Sequence, residues 1–510
     1  MTKSGSSRLW RKSAAVVLVI LYCANGPRAA GVSAVYRRTT PMVVDVSSPE
    51  NVRLEVKVEG KPTAVTLMLA SSGIEVLMRD DGNLADKVAG DGVYTVIVAV
   101  RDILHNFTPD DVYRNFIGYV RPYVGKERVG QWNVFFDILT DDVPPVQIRR
   151  VAHDIQCTKH LVNIVFPQFF EDFLRSAVCG RFYEEFDDDY DFINLIYEVS
   201  YFQNRFHANI RNDVTGIGMT VFDGSASYGS DGRLMGITVF PIPGFFDGAG
   251  PSYQHELGHQ WINWLIVPPL DYAIPHWPLS DLASGIMGWA MGLGGQGLHF
   301  NFDLVPDDGD YLLVPDYKAK DFTDLALYLI GLIGRDEVGE HFVFDDQDQS
   351  PSAGILHGPV TTVRIDDIIS QAGPRVPDYT ISQKVFNVAT IIISKERFVS
   401  ADTMRLYDYF SARAAGREIV PYSSGFAKGM AKPFYLSTRR MGQLDVRIKG
   451  PEKICDFVQD SHIDLRDVLF MADRWLDRCR TPDWCDGADI DHSRTVDSQD
   501  FASCAEYYGF

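Results

Sequence analysis

His255-Glu256-Leu257-Gly258-His259 is the stretch on which the reading of this chain turns. Histidines four residues apart project from one face of a helix, one turn from each other, so their ring nitrogens can converge on a single cation. Glu256 stands to one side, where a carboxylate can take a proton from a water polarised by that cation and later return it. Leu257, Trp261, Ile262, Trp264 and Leu265 supply an apolar face, and the spacing predicts a helix over 253–265, ended by Pro268-Pro269. Gly258 is expected to leave room for a strand or substrate to pass. A catalytic zinc takes three protein ligands and keeps one position open. The best third donor is His276, in Pro275-His276-Trp277-Pro278; Asp271, Asp281 and His299 are the alternatives. No glutamate occurs between Glu256 and Glu337, and Glu337 lies in a polar stretch, so a glutamate ligand from a second helix is set aside. For an electrophile, Tyr228, Tyr311 and Tyr317 are all available and none has a diagnostic position.

Beyond His276 comes Ser284-Gly285-Ile286-Met287-Gly288, which resembles the Met-turn beneath the zinc of metzincins. The chain departs from that family at Ile262 and Leu265, where the metzincin extension has glycine and histidine. With Phe322-Thr-Asp-Leu-Ala-Leu-Tyr-Leu-Ile-Gly-Leu332, these segments resemble a group of secreted bacterial zincin-type proteins. The resemblance implies a zinc metallopeptidase acting on a protein or peptide substrate. In it His255, His259 and His276 hold Zn2+ and Glu256 is the general base. Two other readings stand beside it: a non-catalytic adhesion or scaffold protein with a degenerate zincin domain, and a zinc amidase acting on cell-wall or glycan material.

The ends of the chain bear on where such a site would work. Lys3, Arg8, Arg11 and Lys12 precede an apolar run from Ala14 to Tyr22, and Val32-Ser33-Ala34 offers small residues for a signal peptidase, so residues 1–34 read as an export signal. That run is too short to cross a bilayer, and no later run is long enough, so no transmembrane segment is expected. The formal charge of −20 becomes −25 without the five basic residues of the leader, which makes nucleic acid an unlikely partner for so acidic a surface. Cys157, Cys179, Cys455, Cys479, Cys485 and Cys504 remain after processing, an even set that suggests disulfides in an exported chain. Cys157 with Cys179 is the natural first pairing; the other four allow three connectivities.

At 510 residues, with 46% hydrophobic and 23% charged residues, the chain suits several folded domains. Alternating strands such as Val52-Arg-Leu-Glu-Val-Lys-Val58, separated by Gly, Asp and Pro turns, predict a β-sandwich over 40–142. The Asp80-Asp81-Gly82, Asp86, Asp91-Gly92 turn within it resembles one in immunoglobulin-like modules; its acids suit tight turns as well as calcium. Asp141-Asp142-Val143-Pro144-Pro145 reads as a linker. An α+β domain follows over 146–445, with strands over 161–166, 192–200 and 234–240 and a helix over 169–178. The strand over 234–240 is either the edge that pairs with an extended substrate or an interior strand. Residues 452–510 form two similar acidic halves. Asp489, Asp491, Ser493, Thr495, Asp497 and Asp500 take positions 1, 3, 5, 7, 9 and 12 of a calcium loop. Asp456, Asp460, Asp464 and Asp467 match it less well, with Val458 where an oxygen is wanted. Paired loop-helix units with aspartate at position 12 resemble dockerin modules, which implies a small all-α domain, Ca2+ in the second loop and a cohesin-like partner. The fold expected is therefore multidomain: a β-sandwich, an α+β zincin-like domain and a dockerin-like tail.

Overall fold

In Asn51–Glu59 every second side chain is apolar, and Val52, Leu54, Val56 and Val58 are buried on one face of the strand. The structure, a computed structural model, describes residues 31–505 apart from 46–50, 71, 104–115, 168–173, 201–204, 241–245, 289–301, 317, 350–353, 424–427, 450–454, 456, 459–463, 481–483 and 492. Most of the leader, Asp456, Asp460, His299 and Tyr317 thus lie outside the described residues. Ser33 and Ala34 open a strand, Ser33–Thr40, that pairs with Asn51–Glu59, which in turn pairs with Val93–Ala99. A second sheet joins Val43–Asp45, Trp132–Leu139, Phe116–Val124, Ala64–Leu69 and Glu75–Met78. Both sheets send residues into one apolar core that includes Leu54, Val56, Leu67, Val96, Val120 and Phe136.

The largest sheet runs in the order Arg149–Ala152, Ile155–Cys157, Val162–Val165, Val385–Ser394, Phe192–Tyr197, Gly236–Phe240, Phe206–Asn209. Its four central neighbours are parallel, and Phe206–Asn209 lies antiparallel at the end. Parallel strands are covered on both faces and read as continuous apolar runs; Phe192–Tyr197 and Gly236–Phe240 are buried throughout. Phe192, Ile196 and Phe240 meet Tyr253, Leu257 and Trp261 on one face. Ile193, Leu195, Ile237 and Val239 meet the helix Leu174–Tyr183 on the other.

Several expectations change here. Gly236–Phe240 is the interior alternative, paired on both sides, and the edge falls to Phe206–Asn209. The strand expected over 192–200 breaks after Tyr197; Val199–Ser200 leaves its sheet and pairs with Arg38 and Arg37 of the N-terminal sheet. Cys157 and Cys179 are not paired: both are free and buried, one on a strand and the other on the helix beneath it. As small apolar side chains they fill the core. The disulfides are Cys455–Cys504 and Cys479–Cys485.

The stretch read as a linker is packed rather than free. Val143 is fully buried, with Met42 and Leu139, in the core of the following domain, and its carbonyl accepts from Arg405 Nε at 2.9 Å. Asp137 accepts from Tyr407 across the same boundary. Glu198 Oε1 also accepts from Arg38 Nη2 at 3.0 Å and from Nε at 3.2 Å, a buried ion pair between the two parts. The C-terminal residues form two helices, Leu465–Asp473 and Ser498–Ala505, around a small core of Met471, Ala488, Val496 and the Cys455–Cys504 bridge. Among the described residues no helix is long and apolar enough to cross a membrane.

Candidate metal centre

The helix that carries the histidines is Pro251–Gly258, shorter than the 253–265 expected. Pro251 suits its first turn because the missing N–H has no helical partner there. His259 is the C-cap, with φ −62° and ψ −8°, and still stands one turn from His255 on the same face. Tighter turns follow, in which His259, Gln260 and Trp261 donate to the carbonyls three residues back, and Asn263 takes a positive φ of 72°. Trp261 and Ile262 thereby drop into the core instead of continuing the helix. His276 comes back from the loop beyond Pro269.

The three imidazoles meet nitrogen to nitrogen. His255 Nε2 lies 3.2 Å from His276 Nε2 and 3.3 Å from His259 Nε2. Two ligand nitrogens on a tetrahedral zinc, each about 2.0–2.1 Å from the ion, stand about 3.3 Å apart. His255 Nδ1 is 3.0 Å from Ile286 O; a carbonyl can only accept, so Nδ1 carries the proton and Nε2 presents a lone pair. Burial, then the neighbouring imidazoles, hold His255 and His259 well below the ordinary histidine range, so both rings are neutral. A neutral His255 of this tautomer can accept one hydrogen bond but faces two nitrogens. The donor set therefore fits a soft divalent cation.

Glu256 is buried beside this cluster, and Arg205 Nε is 3.0 Å from its Oε1. Burial pushes its carboxyl up to about 7, and Arg205 works against that rise. Below the helix the space at Gly258 is filled rather than left open for substrate. A Cβ there would stand 2.5 Å from Met287 Sδ and 3.3 Å from Phe322 Cε1. The Ser284–Gly288 turn thus supplies both the carbonyl that orients His255 and the sulfur that packs under the helix. On the other side, Asn209 Nδ2 donates to His259 O at 3.3 Å and to Gln260 O at 3.0 Å, and His207 Nε2 lies 2.9 Å from Gln260 Oε1. The edge strand pins the turn that follows the second histidine.

Among the described residues, His255, His259 and His276 are the grouping of histidines able to share an ion. Asp271 is exposed, and Asp281 is engaged elsewhere. Tyr228 lies in a short 3-10 turn, Ser225–Tyr228, and Tyr311 stacks on Phe342. The pairing of Arg205 with Glu256 is not legible in the sequence, because no motif spacing ties the two. Asp281 instead accepts from His341, whose Nδ1 is 2.8 Å from its Oδ2 and whose Nε2 is 2.6 Å from Asp324 Oδ1. This clamp ties the start of the Met287 turn to the helix Asp324–Ile330.

In the C-terminal loop, Asp489, Asp491 and Asp500 bring one carboxylate oxygen each within 4.8 Å of one another. Asp489 and Asp500 are fully buried, and Asp489 Oδ1 has no hydrogen-bond partner among the described residues. Burial, then the charges of Asp500 and Asp491, raise Asp489 above the usual carboxylate range. Asp500 also braces the loop, accepting from Ile490 N at 2.6 Å and from Asp497 N at 2.8 Å. Asp467 repeats this in the first half, accepting from Val458 N at 3.1 Å and from Asp464 N at 2.9 Å. Ser493 Oγ donates to Thr495 O, and Asp497 Oδ1 accepts from Gln499 N, so these three expected ligands bond within the loop. Asp80, Asp86 and Asp91 also cluster, each accepting from a turn N–H.

Comparison of the chain with protein-family models, curated proteins and solved structures returns no match.

The His341 clamp makes stability depend on pH. Burial disfavours the imidazolium, but the hydrogen bonds and charges of Asp281 and Asp324 outweigh it and raise His341 to about 9 from 6.5. A raised value means that the contribution is complete below pH 6.5 and is lost as pH rises through about 9. At 1.36 kcal/mol per unit the contribution is on the order of 3 kcal/mol. Urea unfolding should show the wild type falling towards the His341→Gln variant between pH 6 and 10; parallel curves over that range would refute the clamp.

Proposed function

We propose that the chain is an exported, zinc-dependent peptide hydrolase whose C-terminal module binds calcium. The observation that carries this reading is the meeting of three imidazole nitrogens, two separations of which are 3.2 and 3.3 Å, beside a buried carboxylate. His255, His259 and His276 would hold the ion. Zinc held there supplies a Lewis acid that makes a water acidic enough to attack at neutral pH. Glu256 accepts the proton of the attacking water and hands it to the leaving nitrogen. The edge strand Phe206–Asn209 pairs on one side only among the described residues, so its outer backbone can align an extended peptide across the site. The two disulfides suit an oxidising compartment, in keeping with export.

In the tail, Asp489 Oδ2 accepts from Arg494 N at 2.9 Å, whereas its buried Oδ1 has no donor among the described residues and lies near Asp491 and Asp500, which supports a calcium ion there. A folded tail of this kind offers a surface for a cohesin-like partner, the role that its resemblance to dockerins implies.

Digestion of a peptide library with mass-spectrometric mapping tests the chemistry. Glu256→Gln should keep the wild-type zinc content and lose hydrolysis by at least ~100-fold; an active variant would sink the role of the carboxylate, and a wild type that releases no fragments would sink the peptidase. His276→Ala should lower the zinc content measured by metal analysis, and unchanged stoichiometry would remove it from the ligand set. For the tail, calcium titrated into chelator-treated protein should raise the unfolding temperature of the C-terminal module, and Asp489→Ala should abolish the rise. A rise of equal size in that variant would count against the site.

A further inference from the structure

The peptidase reading leaves the oxyanion without a donor from the protein; of the available tyrosines, Tyr228 lies in the Ser225–Tyr228 turn and Tyr311 stacks on Phe342. Arg205 reaches the site. Its Nε stands 3.0 Å from Glu256 Oε1, its side chain keeps 26% of its surface open, and no second acceptor engages the guanidinium among the described residues. The residue directly precedes Phe206–Asn209, the edge along which a peptide would lie. Nε makes no hydrogen bond among the described residues, so Glu256 holds the guanidinium by charge, and the N–H donors of its fixed fork can face a substrate.

Resting on the peptidase reading, we propose that Arg205 is a catalytic residue: its guanidinium donates to the substrate carbonyl oxygen as negative charge develops there. As the water oxygen bonds to the carbonyl carbon, the proton of the water passes to Glu256 and the π pair moves onto the carbonyl oxygen. The carboxylate loses the charge that held Arg205 in the step in which the oxygen gains one, so the guanidinium changes partner without leaving its place. When the C–N bond breaks, the proton on Glu256 goes to the leaving nitrogen and the ion pair with Arg205 re-forms. Donors fixed in advance act best, because they need no reorganisation during the reaction.

The strand Val199–Ser200, which precedes Arg205 in the chain, belongs to the N-terminal sheet. Five residues upstream, Ser200 pairs with Arg37 and Val199 with Arg38 of the N-terminal sheet, and the Arg38–Glu198 ion pair is buried under that junction. Glu198 Oε2 accepts in addition from Lys395 N at 3.1 Å. The strand Val199–Ser200 is thus held to the N-terminal sheet.

Zinc-loaded full-length protein and its Arg205→Met and Arg205→Lys variants test the proposal by metal analysis, peptide hydrolysis and binding of a peptide phosphonate, whose tetrahedral anion mimics the developing oxyanion. Zinc content should stay at the wild-type level in both variants. In Arg205→Met, kcat should fall by ~100-fold or more and phosphonate affinity should fall with it, while KM stays within about twofold. Arg205→Lys should recover part of both losses. Wild-type kcat and phosphonate affinity in Arg205→Met, or a rise confined to KM, would overturn the role of Arg205 alone. A wild type that neither cleaves peptide nor binds the phosphonate would overturn the peptidase reading, and Arg205 with it.

Discussion

Three imidazoles brought nitrogen to nitrogen exceed what hydrogen bonds among them can satisfy, because His255 Nε2 offers a single lone pair and faces two ring nitrogens. His255, His259 and His276 are held in that arrangement, at 3.2 and 3.3 Å for two of the contacts. The Ile286 carbonyl fixes the tautomer of His255, and Asn209 holds the turn after His259. A cation placed between them would satisfy all three nitrogens at once. The cost of bringing the rings together is spread over a large buried core.

That core explains the shape of the surroundings. Helix Pro251–Gly258 lies on the sheet through Tyr253 and Leu257, and its last residue must be glycine because Met287 and Phe322 occupy the space where a side chain would begin. The Met287 turn is in turn tied down by the Asp281–His341–Asp324 clamp. Each of these elements comes from a different part of the chain, so the centre is rigid through packing rather than through any one segment.

The N-terminal module belongs to this arrangement. An ion pair as buried as Arg38–Glu198 costs desolvation on both sides and persists only where further hydrogen bonds satisfy its atoms, as Lys395 N does for Glu198. Its position, between two sheets that exchange the strand Val199–Ser200, makes the module continuous with the domain that holds the histidines. The C-terminal module is organised on its own terms: Asp467 and Asp500 brace two loops in the same manner, the structural counterpart of its internal repeat.

Features that depend on spacing within one element were legible in the sequence. The pair His255 and His259 shares a face because a helix advances by a fixed angle per residue, Val52 to Val58 share a face because a strand alternates, and Asp467 and Asp500 match because each closes its own loop. His276 and Met287 were legible only as an order along the chain. The free state of Cys157 and Cys179, the edge position of Phe206–Asn209, the end of the helix at Gly258 and the approach of Arg205 to Glu256 were not. These depend on which distant elements pack together, and that is decided by burial of whole faces and by strand pairing, which leave no fixed interval in the sequence. The sequence by itself determined which chemistry the helix can carry; only the tertiary structure decided which neighbours hold, orient and charge it.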